Sequence, residues 1–228
     1  NPGEHLPEGV LVALLDIGLH GGEKVGDGDS GENEGGSRTV ARTTADGDRC
    51  RDGDETAGEG SHGDRVEDAR AVAEPERDFI GVEVHRPGVG HLLLTASADN
   101  LQNLRVACHD AVEVLRVAIA PESIDELQIL FPDPWHKKRH HKRRLVQPEF
   151  VALAASRLRA GGILHLATDW EPYAQQMCEV LAGCALLENT VPDDGFSARP
   201  RQRAPTRFEQ RGARLGHAVF DLVWRRRS

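Results

Sequence analysis

A long stretch of this 228-residue chain lacks nearly all the side chains that build a protein core. Between Gly21 and Glu76 there are 12 glycines and no Leu, Ile, Met, Phe, Tyr or Trp. Such a segment cannot bury enough apolar surface to offset the entropy lost on ordering. We therefore predict two parts. Residues 1–72 form an atypical acidic, glycine-rich segment that is disordered or not native to the rest, and residues 73–228 form a folded domain.

Other absences narrow the class of protein. No run approaches the roughly 18 apolar residues of a transmembrane helix, and the first residues do not show a secretory signal pattern. The four cysteines form no C-x-x-C pair and have no histidine partner at zinc spacing. These absences predict a cytoplasmic protein with no membrane partner and no metal site, and a monomer is the favoured state.

The net charge of −9 is confined to one region. The glycine-rich segment from Gly21 to Glu76 contains 16 acidic and 7 basic residues, which leaves 21 of each sign in the remainder. Within that neutral remainder, basic residues cluster at Lys137–Arg144 and Arg225–Arg227. Since local charge governs the attraction of a polyanion more than total charge does, the composition still allows a nucleic-acid partner.

Apolar runs of strand length alternate with helical patterns after residue 73, which indicates an α/β fold with a mostly parallel sheet. The predicted strands are Phe79–Val84, Leu104–Cys108, Asp125–Phe131 and Ile163–Ala167, with a last antiparallel edge strand at His217–Trp224. The predicted helices are Gly88–Ala98 (with Leu92, Leu93 and Leu94 on its buried side), Ala111–Val117, Pro148–Leu158 (closed by Gly161-Gly162) and Pro172–Leu181. Acidic residues lie at or just after the parallel strands, namely Glu83, Asp110, Asp133 and Asp169. Ligands of open α/β sheets bind at that edge, where an acid such as Glu83 accepts hydrogen bonds from ribose hydroxyls.

The segment Leu130–Leu145 combines three features in one loop. Pro132 and Pro134 end a buried strand and hold Asp133 on a stiff turn. Trp135 follows as a flat apolar surface, and a block of Lys, Arg and His follows the tryptophan. Singly, these features are typical of turn chemistry, packing and a solvated surface. Together at a strand end they favour a site for a nucleobase attached to a phosphate backbone.

Five segments resemble the bacterial tRNA (guanine-N7)-methyltransferases, in family order and at family-like spacing. They are Phe79-Ile-Gly-Val-Glu-Val-His-Arg-Pro-Gly-Val-Gly, Cys108-His-Asp-Ala, the run from Phe131 to Arg144, Leu166-Ala-Thr-Asp-Trp and Thr206-Arg-Phe-Glu. The resemblance covers about Ala73 to Arg225. Several motifs in order are far more specific than any one of them.

The resemblance implies a Rossmann-like class I methyltransferase fold, S-adenosylmethionine as cofactor and tRNA as partner, with methylation of a variable-loop guanosine. It implies Asp133 as the catalytic residue, and Glu83, Asp110 and Asp133 as cofactor-binding residues, with Asp110 at the adenine end of the cofactor. Asp110 also suits the N-cap of the predicted helix Ala111–Val117. The implied substrate-binding residues are Lys137, Asp169, Thr206, Arg207, Phe208 and Glu209. The residues expected to bind RNA are Arg139, His140, His141, Lys142, Arg143 and Arg144, and replacing the last two by alanine should weaken the salt dependence of binding.

The sequence departs from the family where a glycine-rich cofactor turn should precede Glu83. Leu14–Gly22 has the apolar strand and looks like the family's opening turn, but it lies too far from Glu83. Gly58–Gly63 fits G-x-G-x-x-G at the right distance, but no strand-like run precedes it. One hypothesis is that the acidic segment is an out-of-frame or mis-joined reading of the gene. This departure leaves open a tRNA-binding relic without a normal cofactor loop. A second alternative to the tRNA guanine-N7 methyltransferase is an amino-group methyltransferase, because Phe131-Pro-Asp-Pro-Trp loosely resembles the strand-end Asp-Pro-Pro-aromatic sequences of such enzymes.

Overall fold

The computed structural model describes residues 12–17, 66–191, 195–203, 205–214 and 216–228. Seven strands form one sheet in the order β3-β2-β1-β4-β5-β7-β6. The strands are β1 (Val12–Ile17), β2 (Asp78–Glu83), β3 (Leu104–Cys108), β4 (Ile124–Leu130), β5 (Leu158–Thr168), β6 (Leu187–Asn189) and β7 (Phe220–Arg226). The helices are α1 (Val66–Ala73), α2 (Arg86–Ala98), α3 (Ala111–Val117), α4 (Pro148–Arg157), α5 (Glu171–Ala182) and α6 (Arg207–Arg214), with a 3-10 helix at Lys138–Arg143.

Helices cover both faces of the sheet because successive strand side chains point in opposite directions. On one face, Phe79 and Val106 pack with Ala71 of α1 and with Leu92 and Ala96 of α2. The opposite face carries the larger core, to which strands β2 to β5 and β7 and helices α3, α4 and α5 contribute. The predicted α/β fold with helices on both faces is confirmed.

Five of the seven strands share one direction. β2 and β3 pair in parallel, and so do β4 and β5. β1 is antiparallel to both β2 and β4, and β7 is antiparallel to β5 and β6. β2, β3, β4, β5 and β6 therefore point one way, as predicted for a mostly parallel sheet, and the pairings that involve β1 or β7 are antiparallel.

The direction of β1 places its end far from Glu83. Ile17 lies opposite Asp78, the first residue of β2, and Val12 lies opposite Leu130, the last residue of β4. β1 therefore ends at the sheet edge where β2 and β4 begin. The glycine turns considered above, residues 18–22 and 58–63, lie outside the described residues, as does most of the acidic segment.

Two described elements precede residue 73, and both pack with the domain. β1 occupies the centre of the sheet. The end of α1 lies at the start of β3, where the Asn103 side-chain amide donates to the carbonyl of Ala71 at 2.9 Å.

Three predictions about the elements were wrong. Gly161-Gly162 does not close α4, because α4 ends at Arg157 and both glycines lie within β5. A Cβ on Gly162 would lie 2.9 Å from the carbonyl oxygen of Arg159, so this glycine permits a bulge with close backbone packing. β7 is not the edge strand, since β6 pairs outside it. Leu94 was expected in the core of α2 but is 73% exposed.

Within the described ranges, no helix is long and apolar enough to cross a membrane. The same ranges contain no group of three or more His, Cys, Asp or Glu side chains that could hold a metal ion.

Candidate active site

The four acids selected from the sequence lie along one edge of the sheet. Glu83 ends β2 and pairs with Cys108 at the end of β3, and Asp110 follows two residues later. Leu130 pairs with Ala167 at the ends of β4 and β5, and Asp133 and Asp169 follow these strands. The four strands share one direction, so the acids lie at their carboxyl ends, where ligands of open α/β sheets bind.

The Glu83 side chain is buried, and one of its two carboxylate oxygens is available as a hydrogen-bond acceptor. The residue is 4% exposed, and its Oε1 accepts the backbone N–H of His85 at 2.7 Å. Oε2 is buried and has no hydrogen-bond partner among the described residues. Burial raises the pKa of the Glu83 carboxyl above its usual range, although backbone hydrogen bonds from His85 and Val84 act against the shift. A buried acceptor without a partner is costly, and hydroxyl donors of a bound ribose would satisfy it.

Gly88 allows α2 to lie close against this carboxylate. A Cβ at Gly88 would lie 3.3 Å from Cγ of Glu83 and 3.6 Å from its Oε2. Any side chain at position 88 would therefore occupy space beside the unpartnered oxygen. The glycine thus keeps the approach to Glu83 open.

Asp110 has the structural role expected of a helix cap. Its Oδ1 accepts the backbone N–H of Glu113 at 3.0 Å at the start of α3. The residue is exposed at the same edge as Glu83. The predicted cap is confirmed, and the predicted contact with the cofactor's adenine end stays a prediction.

The loop after β4 presents Asp133 from a constrained turn. Asp133 Oδ1 accepts the backbone N–H of Trp135 at 3.1 Å. On either side, Phe131 and Trp135 have φ angles of +52° and +42°. Side-chain-bearing residues rarely adopt this left-handed region, so the surrounding contacts must hold the loop in place.

Most of the basic block is exposed beside this turn. The exposed members are Lys137, Lys138, Arg139, Lys142 and Arg143, whereas His140 and His141 are half-buried. The Arg143 guanidinium lies 5.0 Å from the Trp135 ring centre, and the His140 ring meets the same tryptophan edge-on at 5.7 Å. Partial desolvation and the positive charges around it lower the pKa of His140.

Arg144 does not belong with the exposed block. It is 3% exposed, and its Nε donates to the carbonyl of Pro134 at 2.7 Å. Its guanidinium also donates to Gln176 and lies 4.6 Å from the ring centre of Tyr173. A side chain so enclosed cannot reach a phosphate backbone, so we correct its assignment as an RNA-binding residue.

Asp169 and Trp170 follow β5 and meet the loop after β4. The Trp170 backbone N–H donates to Thr168 Oγ1 at 3.2 Å, and the centres of the Trp170 and His136 rings lie 4.4 Å apart, with the rings nearly perpendicular. Trp170 is 37% exposed. Asp169 Oδ2 lies 3.9 Å from the position of a Cβ on Gly212, which brings α6 beside this carboxylate.

The Thr206–Glu209 motif begins α6, and a buried ionic network fixes it. Thr206 is 2% exposed, and its Oγ1 accepts the backbone N–H of Glu209 at 3.0 Å. Arg203 donates to both carboxylate oxygens of Glu209, at 2.6 and 3.2 Å, and Arg199 donates to one of them at 3.1 Å. The side chains of Arg207 and Phe208 lie outside the described part of the structure.

Sequence reasoning missed the residues that complete this network. Arg203 also donates to Asp221 of β7 at 3.0 Å, and Asp221 Oδ1 lies 2.7 Å from Nε2 of His165 on β5. Burial raises the pKa of Asp221, but the hydrogen bond from His165 and the charge of Arg203 outweigh it and hold the pKa below its usual range. An Asp and a His inside apolar strands were the available signal, because such buried polar groups need partners.

The family model Methyltransf_4, which describes methyltransferases, matches residues 62–222. A tRNA (guanine-N(7)-)-methyltransferase of Paraburkholderia xenovorans is 60% identical over 154 residues, which are 68% of this chain and 58% of that relative. A protein of the same name from Methylococcus capsulatus is 58% identical over 158 residues, which are 69% of this chain and 68% of that relative. A SAM-dependent O-methyltransferase structure from Thermotoga maritima has a TM-score of 0.44 at 15% identity and covers 70% of this chain and 53% of its own.

The chain thus spans 58% of the length of the Paraburkholderia relative. The matched region includes β2 to β6 and the first residues of β7, together with the carboxyl edge where the four acids lie. The resemblance carried by the sequence motifs is confirmed, and this chain belongs to the Methyltransf_4 family of methyltransferases.

Proposed function

We propose that this chain transfers the methyl group of S-adenosylmethionine to N7 of a guanosine in tRNA. The observation that carries the proposal is one shared sheet edge. It holds a buried unpartnered carboxylate oxygen on Glu83, the Asp133 turn, Asp169 and an exposed basic helix. Relatives that are 58% and 60% identical bear the name of this activity, which supports the same assignment.

The described residues fit the adenosine part of the cofactor. Glu83 Oε2 is a buried acceptor without a partner, as a ribose hydroxyl requires, and Gly88 leaves the approach open. Asp110 lies at the end of the neighbouring strand, where the adenine end would be held. When bound, S-adenosylmethionine supplies an electrophilic methyl group on a positively charged sulfur.

Methylation of guanine N7 needs no general base, since N7 has a lone pair and no proton. The protein must orient the guanine and exclude water. The Watson–Crick edge of guanine offers N1–H and N2–H donors, for which the carboxylates of Asp133 and Asp169 are suitable acceptors. Asp133 is thus proposed as the catalytic residue, whose carboxylate binds the guanine and lies near the positively charged sulfur.

A stacking surface for the base is better provided by Trp170 than by Trp135. Trp135 already has Arg143 over its ring and His140 at its edge. Trp170 is 37% exposed and meets only the edge of His136 among the ring contacts of the described residues. An exposed indole next to Asp169 suits a guanine turned out of the tRNA stack.

The exposed basic residues are proposed to bind the tRNA backbone. Lys137, Arg139, Lys142 and Arg143 lie on one short segment beside Asp133, with His140 and His141 between them. Thr206 and Glu209 are proposed to act by placing α6 beside Asp169, since protein groups already occupy both Glu209 oxygens. A cytoplasmic monomer remains the predicted state.

The test is in two parts with the full chain. Isothermal titration measures S-adenosylmethionine binding, and nucleoside mass spectrometry of treated tRNA identifies the product. Binding at micromolar strength with formation of 7-methylguanosine is the expected result. Binding of tRNA without S-adenosylmethionine binding would identify the RNA-binding relic, and a methylated amino group in place of N7 would identify the amino-group methyltransferase.

A further inference from the structure

The turn that presents Asp133 has a backbone conformation that its residues disfavour. Phe131 and Trp135, with φ of +52° and +42°, lie on either side of Pro132-Asp133-Pro134. Aromatic residues avoid this left-handed region, so the turn persists only where contacts from outside it outweigh the strain. The Asp133–Trp135 hydrogen bond lies within the turn and does not attach it to the rest of the protein.

At the start of the turn the Phe131 backbone N–H donates to the carbonyl of Ala167 on β5 at 2.8 Å. Arg144 attaches the other side, after Asp133. Its Nε donates to the carbonyl of Pro134 at 2.7 Å, which fixes the backbone directly after Asp133. One terminal nitrogen donates to Gln176, and the other lies 3.0 Å from Nε2 of His141. The planar fork of arginine bonds in several directions at once, which a lysine ammonium on a flexible stem does not reproduce.

The anchor for Arg144 is α5, the helix that begins directly after Asp169 and Trp170. The guanidinium lies 4.6 Å from the ring centre of Tyr173. The Tyr173 hydroxyl accepts the backbone N–H of Val146 at 3.2 Å, and the Gln176 amide donates to the carbonyl of Val146 at 3.3 Å. Two side chains of α5 therefore bind the backbone of Val146, two residues after Arg144, and hold this segment against the helix.

Asp133 is close enough to this cluster to act on it electrostatically. Burial raises the pKa of Tyr173 to about 12, and the negative charge of Asp133 adds to the increase. Tyr173 is therefore neutral at every pH at which the protein works. Arg144 thus lies between the Asp133 turn and the Tyr173 and Gln176 side chains of α5.

We infer that Arg144 is a positioning residue that sets the place of the Asp133 carboxylate relative to Asp169. It does so by joining the backbone of Pro134 to α5. This role rests on the proposed function of Asp133 and assigns Arg144, alone in the basic block, to the geometry of the reaction and not to tRNA affinity.

One variant and one comparison variant separate these roles. Arg144→Lys keeps the charge and loses the fork, so kcat should fall at least tenfold while the Kd for tRNA stays within twofold of the wild-type value. Its log–log salt slope for tRNA binding should equal that of the wild type. Lys142→Ala, two residues earlier and exposed, is compared on tRNA binding alone and should weaken it and reduce the slope by about one unit. Wild-type kcat in Arg144→Lys, or a slope reduced as in Lys142→Ala, would overturn the assignment.

A spectroscopic measurement tests the inference even if the chain does not methylate tRNA. When the protein is labelled with 5-fluorotryptophan, its three tryptophans give three fluorine resonances. Trp135 reports on the turn, and Trp224, which is buried on β7, serves as the reference. Arg144→Lys should shift or broaden the Trp135 resonance and leave that of Trp224 unchanged. An unchanged Trp135 resonance would contradict the inference independently of any turnover.

Gln176→Met provides a second variant if Arg144→Lys does not fold. It retains Arg144 and removes one of its acceptors on α5. The same changes in kcat and in the Trp135 resonance are expected, at smaller size. No change in either quantity would show that α5 does not hold the turn through Arg144.

Discussion

The acidic residues on the two sides of the carboxyl edge differ in their hydrogen-bond partners. On the β2–β3 side, Glu83 has a buried oxygen without a partner among the described residues, and Asp110 is exposed. On the β4–β5 side, which α6 and β7 complete, arginines hold Glu209, Asp221 and the turn at Asp133. The first side leaves acceptors for a ligand to satisfy, whereas the second fixes its acids before any ligand binds. The β2–β3 side is therefore suited to ligand recognition, and the β4–β5 side to alignment of the reacting groups.

The strongest test of the β4–β5 side is Asp133→Ala. Loss of the carboxylate should lower kcat by about 10³-fold, because orientation and charge at the reacting base carry most of the rate. The Kd for tRNA should stay within about tenfold, since phosphate contacts dominate affinity. Single-turnover methylation and filter binding give the two values, and retained turnover would remove Asp133 from the catalytic role.

Breaking the ionic network is the next largest perturbation. Arg203→Met leaves the buried Asp221 with only His165, and the free energy of unfolding should fall by about 3 kcal/mol. Urea denaturation measures this change. Arg199→Ala is the matched control, since its side chain is 48% exposed and its pair with Glu209 should contribute less than about 1 kcal/mol. Equal losses in the two variants would show that burial of Arg203 is unimportant.

On the β2–β3 side, Glu83→Gln should weaken S-adenosylmethionine binding by about 10–100-fold, the usual contribution of hydrogen bonds to a charged acceptor. Asp110→Asn, which alters an exposed acid on the same side, should have a smaller effect. Isothermal titration at fixed pH distinguishes them. Similar losses would place the two acids in equivalent roles.

Because the pKa of Glu83 is raised, the stability of the empty protein and its affinity for S-adenosylmethionine should change with pH in opposite directions. A carboxyl whose folded pKa is raised stabilises the empty protein at low pH, and that stability is lost as pH rises through the folded pKa. Ribose hydroxyls prefer the carboxylate, so S-adenosylmethionine affinity should fall as pH falls through the same range. Thermal unfolding and titration calorimetry measure the two trends, and both should disappear in Glu83→Gln.

The smallest expected effect concerns the exposed basic residues. Wild-type tRNA binding should have a log–log salt slope of about −3 to −4, and Arg139→Ala with Lys142→Ala should reduce it by about two units. Arg116→Ala, an exposed basic residue at the far end of α3, is the control and should leave the slope unchanged. An unchanged slope in the double variant would place the tRNA elsewhere.

Local pattern was enough to locate most of the sheet and the acids that follow its strands. β3 and α3 have the predicted bounds, and the predicted β2 and β4 differ from the observed strands by one residue at each end. These elements are short, strongly apolar and bounded by turn or cap residues, so little tertiary information was needed. The Asp110 cap is of the same kind, since cap and helix are adjacent in sequence.

Tertiary contacts decided the features that the sequence did not reveal. The direction of β1 depends on partners more than 60 residues away in the chain. Gly162 has the appearance of a helix stop, and only the proximity of the Arg159 and Ile124 carbonyls shows that it serves a bulge. Arg144 looks like part of a solvated charge run, and its burial becomes apparent only when α5 packs against it.

The antiparallel β1 strand also bears on aggregation. Among the described strands, β1 alone pairs with both β2 and β4, so it closes the sheet between two parallel pairs. A chain without residues 12–17 would expose the N–H and C=O groups of two apolar strands along both sides of that gap. Unpaired strands of this kind recruit strands from other molecules. The six-residue β1 therefore protects the molecule from intermolecular strand pairing at the centre of its sheet, where edges are normally absent.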